Sequence, residues 1–166
     1  MELKEWSLDY VHDLVHHANN QIISRNLSNI FPYPYTEEDA VRFIEFCQTQ
    51  DLQKIRNLAI VIDGQAVGGI GITVGSDIYE KSAELGYWLG EDYWGKGIMT
   101  KAVKQMVQLS FQNRNIIRLY ATVFSHNLGS CRLLEKNGFE LEGVLKKAVY
   151  KNGHLYDSKL YALLRE

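Results

Sequence analysis

The sequence lacks a long apolar run, and this absence limits where the protein is expected to work. No stretch approaches the roughly 20 consecutive apolar residues that a membrane-spanning helix needs. The first residues, Met1 to Trp6, mix charged and apolar side chains and contain no apolar signal-peptide core. We therefore expect a cytoplasmic protein that does not bind membranes.

The sequence also lacks a cluster of basic residues. Its 18 lysines and arginines nearly balance its 20 aspartates and glutamates, and the formal net charge is -2. Nucleic acids and anionic surfaces are bound largely through concentrated positive charge. The balanced composition excludes generic, direct nucleic-acid binding and favours specific chemistry on a small molecule or a protein.

Cysteine and histidine are too sparse to predict a disulfide framework or a metal site. The two cysteines, Cys47 and Cys131, lie in segments predicted as helical, and a reducing compartment favours two buried thiols. His12, His16 and His17 lie close together, but the acidic or cysteine partners of a metal centre are missing. We predict solvated histidines and no bound metal.

The chain contains no internal repeat, low-complexity tract or proline-rich linker, so one domain over residues 1–166 is predicted. The predicted strands cover residues 3–7, 58–62, 66–74, 82–89, 116–124, 139–150 and 155–164, and the predicted helices cover residues 9–20, 37–50, 98–113 and 130–137. Turn pairs at Asp63-Gly64 and Asn152-Gly153 are typical of tight hairpins. This order predicts a mixed α/β (α+β) fold with an antiparallel start, a strand-helix-strand middle and a terminal hairpin.

The predicted strand over residues 66–74 is rich in glycine. Strict alternation places Ala66 on the same face as Ile70, and Val67 on the opposite face with Gly69. That second face is nearly bare of side chains at its middle. We therefore expect a bulky group to approach it closely.

A glycine-containing loop, Gly95-Lys96-Gly97, stands where a strand passes into the N-terminus of a long helix. Unpaired N–H groups and the helix dipole can hold a phosphate there. Glycine permits positive φ and close approach of a ligand, and Thr100 offers a hydroxyl. The residues match neither the P-loop pattern nor Gly-x-Gly-x-x-Gly, which excludes kinase-like and Rossmann sites. A simple tight turn is the alternative interpretation.

Three motifs resemble those of the GNAT acetyltransferases, in the branch that includes the ribosomal-protein N-terminal and polyamine acetyltransferases. They comprise residues 84–89 with 93–100, residues 127–130 with 133–139, and residues 31–35 with 36–40. The resemblance implies a single GNAT domain with a mixed, mostly antiparallel sheet flanked by helices. It also implies acetyl-CoA as cosubstrate and direct transfer of the acetyl group to a primary amine. Asp92 departs from the family's broader loop pattern, which has Gln or Arg there.

The resemblance assigns candidate residues to the cofactor site. Acetyl-CoA is expected to contact the end of one strand, the loop and two helix starts, through Trp88, Leu89, Gly90, Gly95, Lys96, Gly97, Ile98, Met99, Thr100, Asn127 and Ser130. Ser130 matches the position that protonates the departing CoA thiolate. For Asn127 and Ser130, helix capping is the alternative role.

Glu84 is the expected general base, acting directly or through a water, because alternation places it on the face of Trp88. The alternative is a rim carboxylate that orders the strand. Tyr120 and Tyr150 are the alternative acids. Cys131 adjoins Ser130 but has no paired histidine in the sequence, so we expect no acetyl-enzyme intermediate.

The acceptor is predicted only by class, as the amine of a protein N-terminus, a polyamine or another small molecule. Val149 stands where some ribosomal-protein serine acetyltransferases carry a carboxylate, which argues against transferring that substrate to this chain. Tyr33, Tyr35 and Trp88, with Glu37, Glu38 and Glu84, could line a cleft suited to a cation. The alternative role of Glu37 and Glu38 is to complement the N-terminus of a helix. A non-catalytic acyl-CoA-binding module and an enzyme for other acyl donors remain rival interpretations, and we expect a monomer or a homodimer.

Overall fold

A seven-stranded sheet organises the chain, of which this computed structural model describes residues 1–112 and 115–165. The strands are β1 (Glu2–Glu5), β2 (Ile55–Ile62), β3 (Gln65–Val74), β4 (Ser82–Leu89), β5 (Arg118–Phe124), β6 (Glu140–Lys151) and β7 (His154–Leu164). The helices are α1 (Val11–Ala18), α2 (Gln21–Ser24), α3 (Glu37–Thr49), α4 (Ile98–Gln112) and α5 (Leu128–Lys136). The predicted mixed α/β class is confirmed.

The strand order is β1-β2-β3-β4-β5-β7-β6, and β4 with β5 form the parallel pair in an otherwise antiparallel sheet. This pair is short, since it joins residues 82–84 only to residues 118–120. Beyond Glu84 and Tyr120 the two strands diverge. The sheet therefore opens between its two central strands, which is where the candidate site lies.

Two hydrophobic cores stabilise the sheet, one on each face. Helices α4 and α5 cover one face, with buried side chains that include Val67, Ile70, Leu85, Val103, Leu119, Leu134 and Tyr161. Helices α1 and α3 cover the other face over β2 and β3, with buried side chains that include Trp6, Leu14, Ile44, Ala59 and Ala66. Removing this apolar surface from water is the main force that holds the helices against the sheet.

Strand β3 contradicts the predicted alternation at its start. The register with β2 shifts between Ile60 and Val61, which leaves Val67 as the extra residue of a bulge. Val67 therefore packs beside Ile70 in the core under α4, whereas Ala66 lies in the core under α1 and α3. The predicted faces of Ala66 and Val67 were wrong because a bulge moves the alternation by one residue.

The helix boundaries also differ from the prediction near the N-terminus. The segment predicted as one helix over 9–20 ends at Ala18, and α2 starts anew after Asn20, whose side chain accepts the N–H groups of Ile22 and Ile23. Asn113, the predicted last residue of the long helix, lies outside the described residues. In the described part of the chain, no helix combines the length and apolarity needed to span a bilayer.

Candidate active site

A cavity of about 870 Å³ occupies the opening between β4 and β5. Strand β4 forms one wall, β5 and α5 form the other, and the start of α4 closes one end. It is lined by many of the predicted cofactor residues, namely Trp88, Leu89, Gly95, Gly97, Ile98, Met99, Thr100, Asn127 and Ser130. The structure thus brings residues that are up to 42 positions apart into one cleft, while Gly90 and Lys96 lie just beyond its lining.

The loop before α4 has the backbone shape of an anion-binding turn. Gly95 and Gly97 both have a φ of 72°. A Cβ at either position would meet nothing within 4 Å, so the conformation rather than crowding requires glycine. The first N–H groups of α4, at residues 98–100, have no carbonyl partner within the helix, and these residues line the same cavity. These groups can hold an anion at the positive end of the helix dipole.

The charges around the cavity favour the same kind of ligand. Among the described residues that line it, Arg25, Arg132 and Lys136 are cationic and none is acidic. Positive charge in a concave site raises the local concentration of anions. The cavity is therefore suited to a ligand that carries several phosphates.

Gly90 and Lys96 support the loop from outside the cavity. The Gly90 N–H donates to the carbonyl oxygen of Val67 at 2.8 Å. A Cβ at Gly90 would lie 2.7 Å from Nδ1 of His17, so a larger residue does not fit there without movement. The Lys96 ammonium lies 5.4 Å from the ring centroid of Tyr93. Both residues therefore contribute to the shape of the loop.

The three N-terminal histidines were predicted to be solvated; His12 and His16 are exposed, whereas His17 is half-buried. The His17 ring packs edge-on against Tyr93, with 5.5 Å between ring centroids. Burial lowers the pKa of His17, and the neighbouring His16 acts in the same direction. Histidine spacing on α1 gave no sign of this contact, because the loop lies more than 70 residues further along the chain.

Helix α5 presents Ser130 to the cavity. Oδ1 of Asn127 accepts the Ser130 N–H at 3.2 Å, so the capping role considered for Asn127 is present in the structure. The Ser130 hydroxyl has a different partner: its Oγ lies 2.6 Å from Oη of Tyr87 on β4. Cys131 is buried in the core beneath α5.

Tyr87 is the member of this pair that the sequence analysis missed. It lies inside a recognised motif, but only the packing of α5 across β4 reveals its contact with Ser130. Burial raises the pKa of Tyr87 to about 12, and the hydrogen bond to Ser130 offsets part of this rise. Tyr87 is therefore protonated at neutral pH.

Glu84 lies at the rim of the cavity, on the opposite face of β4 from Tyr87. Oγ1 of Thr122, a lining residue, donates to Oε1 of Glu84 at 3.2 Å. Tyr120 pairs with Glu84 across the parallel ladder, and burial together with the Glu84 charge raises the Tyr120 pKa. Tyr150 is 70% exposed on β6. Glu84 is thus exposed and within one hydrogen bond of the cleft.

Trp88 is the bulky group expected over the glycine-rich face of β3. Its indole Nε1 would lie 2.7 Å from a Cβ at Gly69. The Phe31 ring packs against it, with 5.5 Å between centroids. Tyr35 is buried in the core instead of lining an acceptor cleft, and Tyr33 is half exposed. Trp88 and Phe31 therefore form an aromatic pair on this face of the sheet, toward the end of β4 and four residues beyond Glu84.

A short segment containing α2, here called the cover (residues 20–27), forms a further wall that was not predicted. The Asn20 side-chain amide donates to Oε2 of Glu91 at 2.8 Å. At the other end, Nε2 of His126 and Oδ1 of Asn26 are 3.1 Å apart. The cover is thus fastened to the loops that follow β4 and β5.

A buried lysine holds the middle of the cover. Lys151, at the end of β6, is 6% exposed, and its Nζ donates to the carbonyl oxygens of Ser24, at 2.5 Å, and Leu27. Burial lowers the pKa of Lys151. The β6–β7 hairpin therefore supports the cover from behind.

Comparisons with known proteins agree with this geometry. Residues 1–140 match the acetyltransferase (GNAT) domain family. Probable N-acetyltransferase YjcK of Bacillus subtilis (strain 168) is 43% identical over 84 residues, covering 51% of this chain and 46% of that protein. Spermidine N(1)-acetyltransferase of Escherichia coli (strain K12) is 27% identical over 155 residues, covering 91% of this chain and 77% of that protein.

A solved structure extends the match to nearly the whole chain. The microcin C7 self-immunity acetyltransferase MccE, in complex with acetyl-CoA and AMP, has a TM-score of 0.85 and 30% identity, over 98% of this chain and 91% of that one. The chain therefore belongs to the GNAT acetyltransferase family, as predicted. It spans about half the length of several curated relatives that it matches.

Proposed function

We propose that this chain is an acetyl-CoA-dependent N-acetyltransferase that acts on a primary amine. The observation that carries the proposal is the cleft between β4 and β5. Inside, the cleft has cationic side chains and the anion-binding loop with the first turn of α4 (residues 95–100), here called the cradle; at its rim, on the opposite face of β4, it has the Glu84 carboxylate. Acetyl-CoA, the acetyl donor, and the acceptor amine can therefore reach the gap between β4 and β5 from opposite sides of the sheet.

The residues of the cradle suit coenzyme A. Its diphosphate matches the N–H groups at the start of α4, next to the glycines at 95 and 97. Arg25, Arg132 and Lys136 supply the opposite charge. The edges of β4 and β5, unpaired beyond residues 84 and 120, offer backbone groups for the pantetheine amides. When bound, acetyl-CoA supplies an activated acetyl thioester.

Glu84 is proposed as the base that prepares the amine. An ammonium cannot attack a thioester, and its unperturbed pKa is roughly 8 for an α-amine and 10.4 for a lysine-like amine. A carboxylate at the rim accepts the proton directly or through one water. The Thr122 hydroxyl orients the carboxylate toward the cleft. Ser130, inside the cavity, is proposed to donate to the sulfur that departs.

The acceptor is proposed as a protein N-terminus, a polyamine or another small amine. The exposed Glu84 carboxylate gives the rim a negative charge that attracts cations, and Trp88, four residues further along the same face of β4, adds an aromatic ring. One relative is named spermidine N(1)-acetyltransferase, and a polyamine is therefore included among the amines to be tested. Val149 argues against the N-terminal serine of a ribosomal protein as the acceptor, because some acetyltransferases with that substrate carry a carboxylate at this position.

The test is thiol release from acetyl-CoA with a panel of amines that includes spermidine and a peptide with a free N-terminus. We expect turnover with at least one amine, and a fall in kcat of about 10²–10⁴-fold in Glu84→Gln. The acetyl-CoA KM should change little. Glu140→Gln, an exposed glutamate on the outer strand β6, is the matched control.

Two outcomes would contradict the proposal in different ways. Tight CoA binding without turnover of any amine would favour a binding module. Turnover of a longer acyl-CoA but not of acetyl-CoA would favour another donor.

A further inference from the structure

A hydroxyl pair links the wall of the cavity to the sheet. Tyr87 points to the face of β4 that α4 and α5 cover, where its ring packs against the core. Its Oη lies 2.6 Å from Oγ of Ser130, and both residues line the cavity. Glu84 and Trp88 lie on the opposite face. The pair is therefore separate from the acceptor rim and adjacent to the proposed leaving group.

The surroundings decide which hydroxyl donates. A phenol is a stronger acid than an aliphatic alcohol, and it is therefore the better hydrogen-bond donor. A buried hydroxyl that fails to donate loses free energy, and the structure gives Tyr87 the Ser130 oxygen as its partner. With Tyr87 as donor, the Ser130 proton cannot point back to the phenol. It is then available to a group in the cavity that Ser130 lines.

We infer that Tyr87 is a positioning residue that aims the Ser130 hydroxyl at the departing sulfur of coenzyme A. The inference rests on the proposed acetyl transfer. Asn127 fixes the Ser130 main chain through its N–H, and Tyr87 fixes the rotation of its side chain. Tyr87 keeps its own proton throughout. Ser130 also keeps its proton: it donates a hydrogen bond to the developing thiolate, which departs as the anion and takes its proton from solvent.

Tyr87→Phe tests this inference because it removes one oxygen and keeps the ring. We expect kcat to fall by about tenfold, the effect of one lost hydrogen bond, with the acetyl-CoA KM changed less than about threefold. In a Ser130→Ala background, the same substitution should have no further effect on kcat. Equal losses in both backgrounds would mean that Tyr87 only packs, and would overturn the inference.

Tyr161→Phe is the matched control. Tyr161 is buried in the same core and donates to Oε1 of Glu135, also on α5, at 2.8 Å, but it does not line the cavity. It tests whether loss of any tyrosine contact to α5 changes kcat. We expect kcat within about twofold of the native value, as for a change away from the reacting groups.

A binding measurement keeps the inference separate from the proposed reaction. The ratio of the dissociation constants for CoA and desulfo-CoA, measured by calorimetry at pH 7 and pH 9, reports the hydrogen bond to sulfur without any acceptor. We expect native protein to prefer CoA, more so at pH 9, and Tyr87→Phe to lose most of that preference. A ratio that is the same in both proteins would overturn the inference even if the native enzyme is active. A lost preference in an inactive protein would support it while the proposed function fails.

Discussion

The cradle and the cover, which line two sides of the cleft, are built in different ways. The cradle is held largely by local bonds: Trp94 Nε1 donates to the Leu89 carbonyl five residues away at 2.8 Å, and the Gly90 N–H adds one bond to the Val67 carbonyl on the neighbouring strand. The cover is held by partners that are 71, 100 and 127 residues away, through Glu91, His126 and Lys151. The cradle can therefore form once β3, β4 and α4 are in place. The cover also requires the elements that carry His126 and Lys151, which come much later in the chain.

The largest effect is expected from a substitution in the cradle. Gly97→Val places a β-branched side chain at a φ of 72°, where it is strained even though no atom crowds it. The loop should leave this conformation and withdraw its N–H groups from the phosphate. We expect the affinity for CoA, measured by calorimetry, to fall by about 100-fold while the fold persists.

Gly143→Val is the control for this change. A Cβ at Gly143 would also meet nothing within 4 Å, its φ lies outside the left-handed region, and it is on β6. Its CoA affinity should equal that of the native protein. A folded Gly97→Val variant with native CoA affinity would remove the cradle assignment.

A smaller effect is expected when the cover loses one of its distant partners. Lys151→Met keeps a long side chain but removes the ammonium from two carbonyl oxygens, the buried one of Ser24 and the partly buried one of Leu27. We expect amide hydrogen exchange over residues 20–27 to accelerate by about tenfold. The cradle amides at 95–100 should exchange at native rates, since their contacts are local.

Lys146→Met on the same strand is the comparison, because that side chain is largely exposed and pairs with Asp157 at 3.0 Å. It should leave exchange in the cover unchanged. If Lys151→Met also leaves amide exchange over residues 20–27 unchanged, Lys151 does not hold the cover. The contrast between a locally held cradle and a distantly held cover would then be wrong.

This difference also explains what could be predicted from the sequence. Helix and strand periodicity, the turn at Asp63-Gly64 and the glycines at 95 and 97 are local signals, and all four of these residues have positive φ in the structure. The cover, the Tyr87–Ser130 contact and the burial of His17 depend on which distant elements meet, and no local pattern encodes that. Val67 shows an intermediate case, because one bulge reversed an otherwise regular alternation.

The smallest expected effect concerns the contact of His17 with the loop. Because burial lowers its folded-state pKa, the unfolded chain binds more protons than the folded chain between that pKa and 6.5. The free energy of unfolding therefore rises with pH through this window and is reduced at lower pH. Asp13 and Asp92 oppose the shift, and His16 reinforces it.

His17→Gln should remove this contribution, so its Tm should fall less than the native Tm between pH 7.5 and pH 5.5. We expect the two falls to differ by at most about 2 °C, since solvent screens a ring that is only partly buried. His12→Gln, an exposed position on the same helix, should behave like the native protein. An identical fall in native protein and His17→Gln would mean that the ring is as solvated as the sequence predicted. The contact of His17 with the loop would then contribute nothing measurable to the pH dependence of stability.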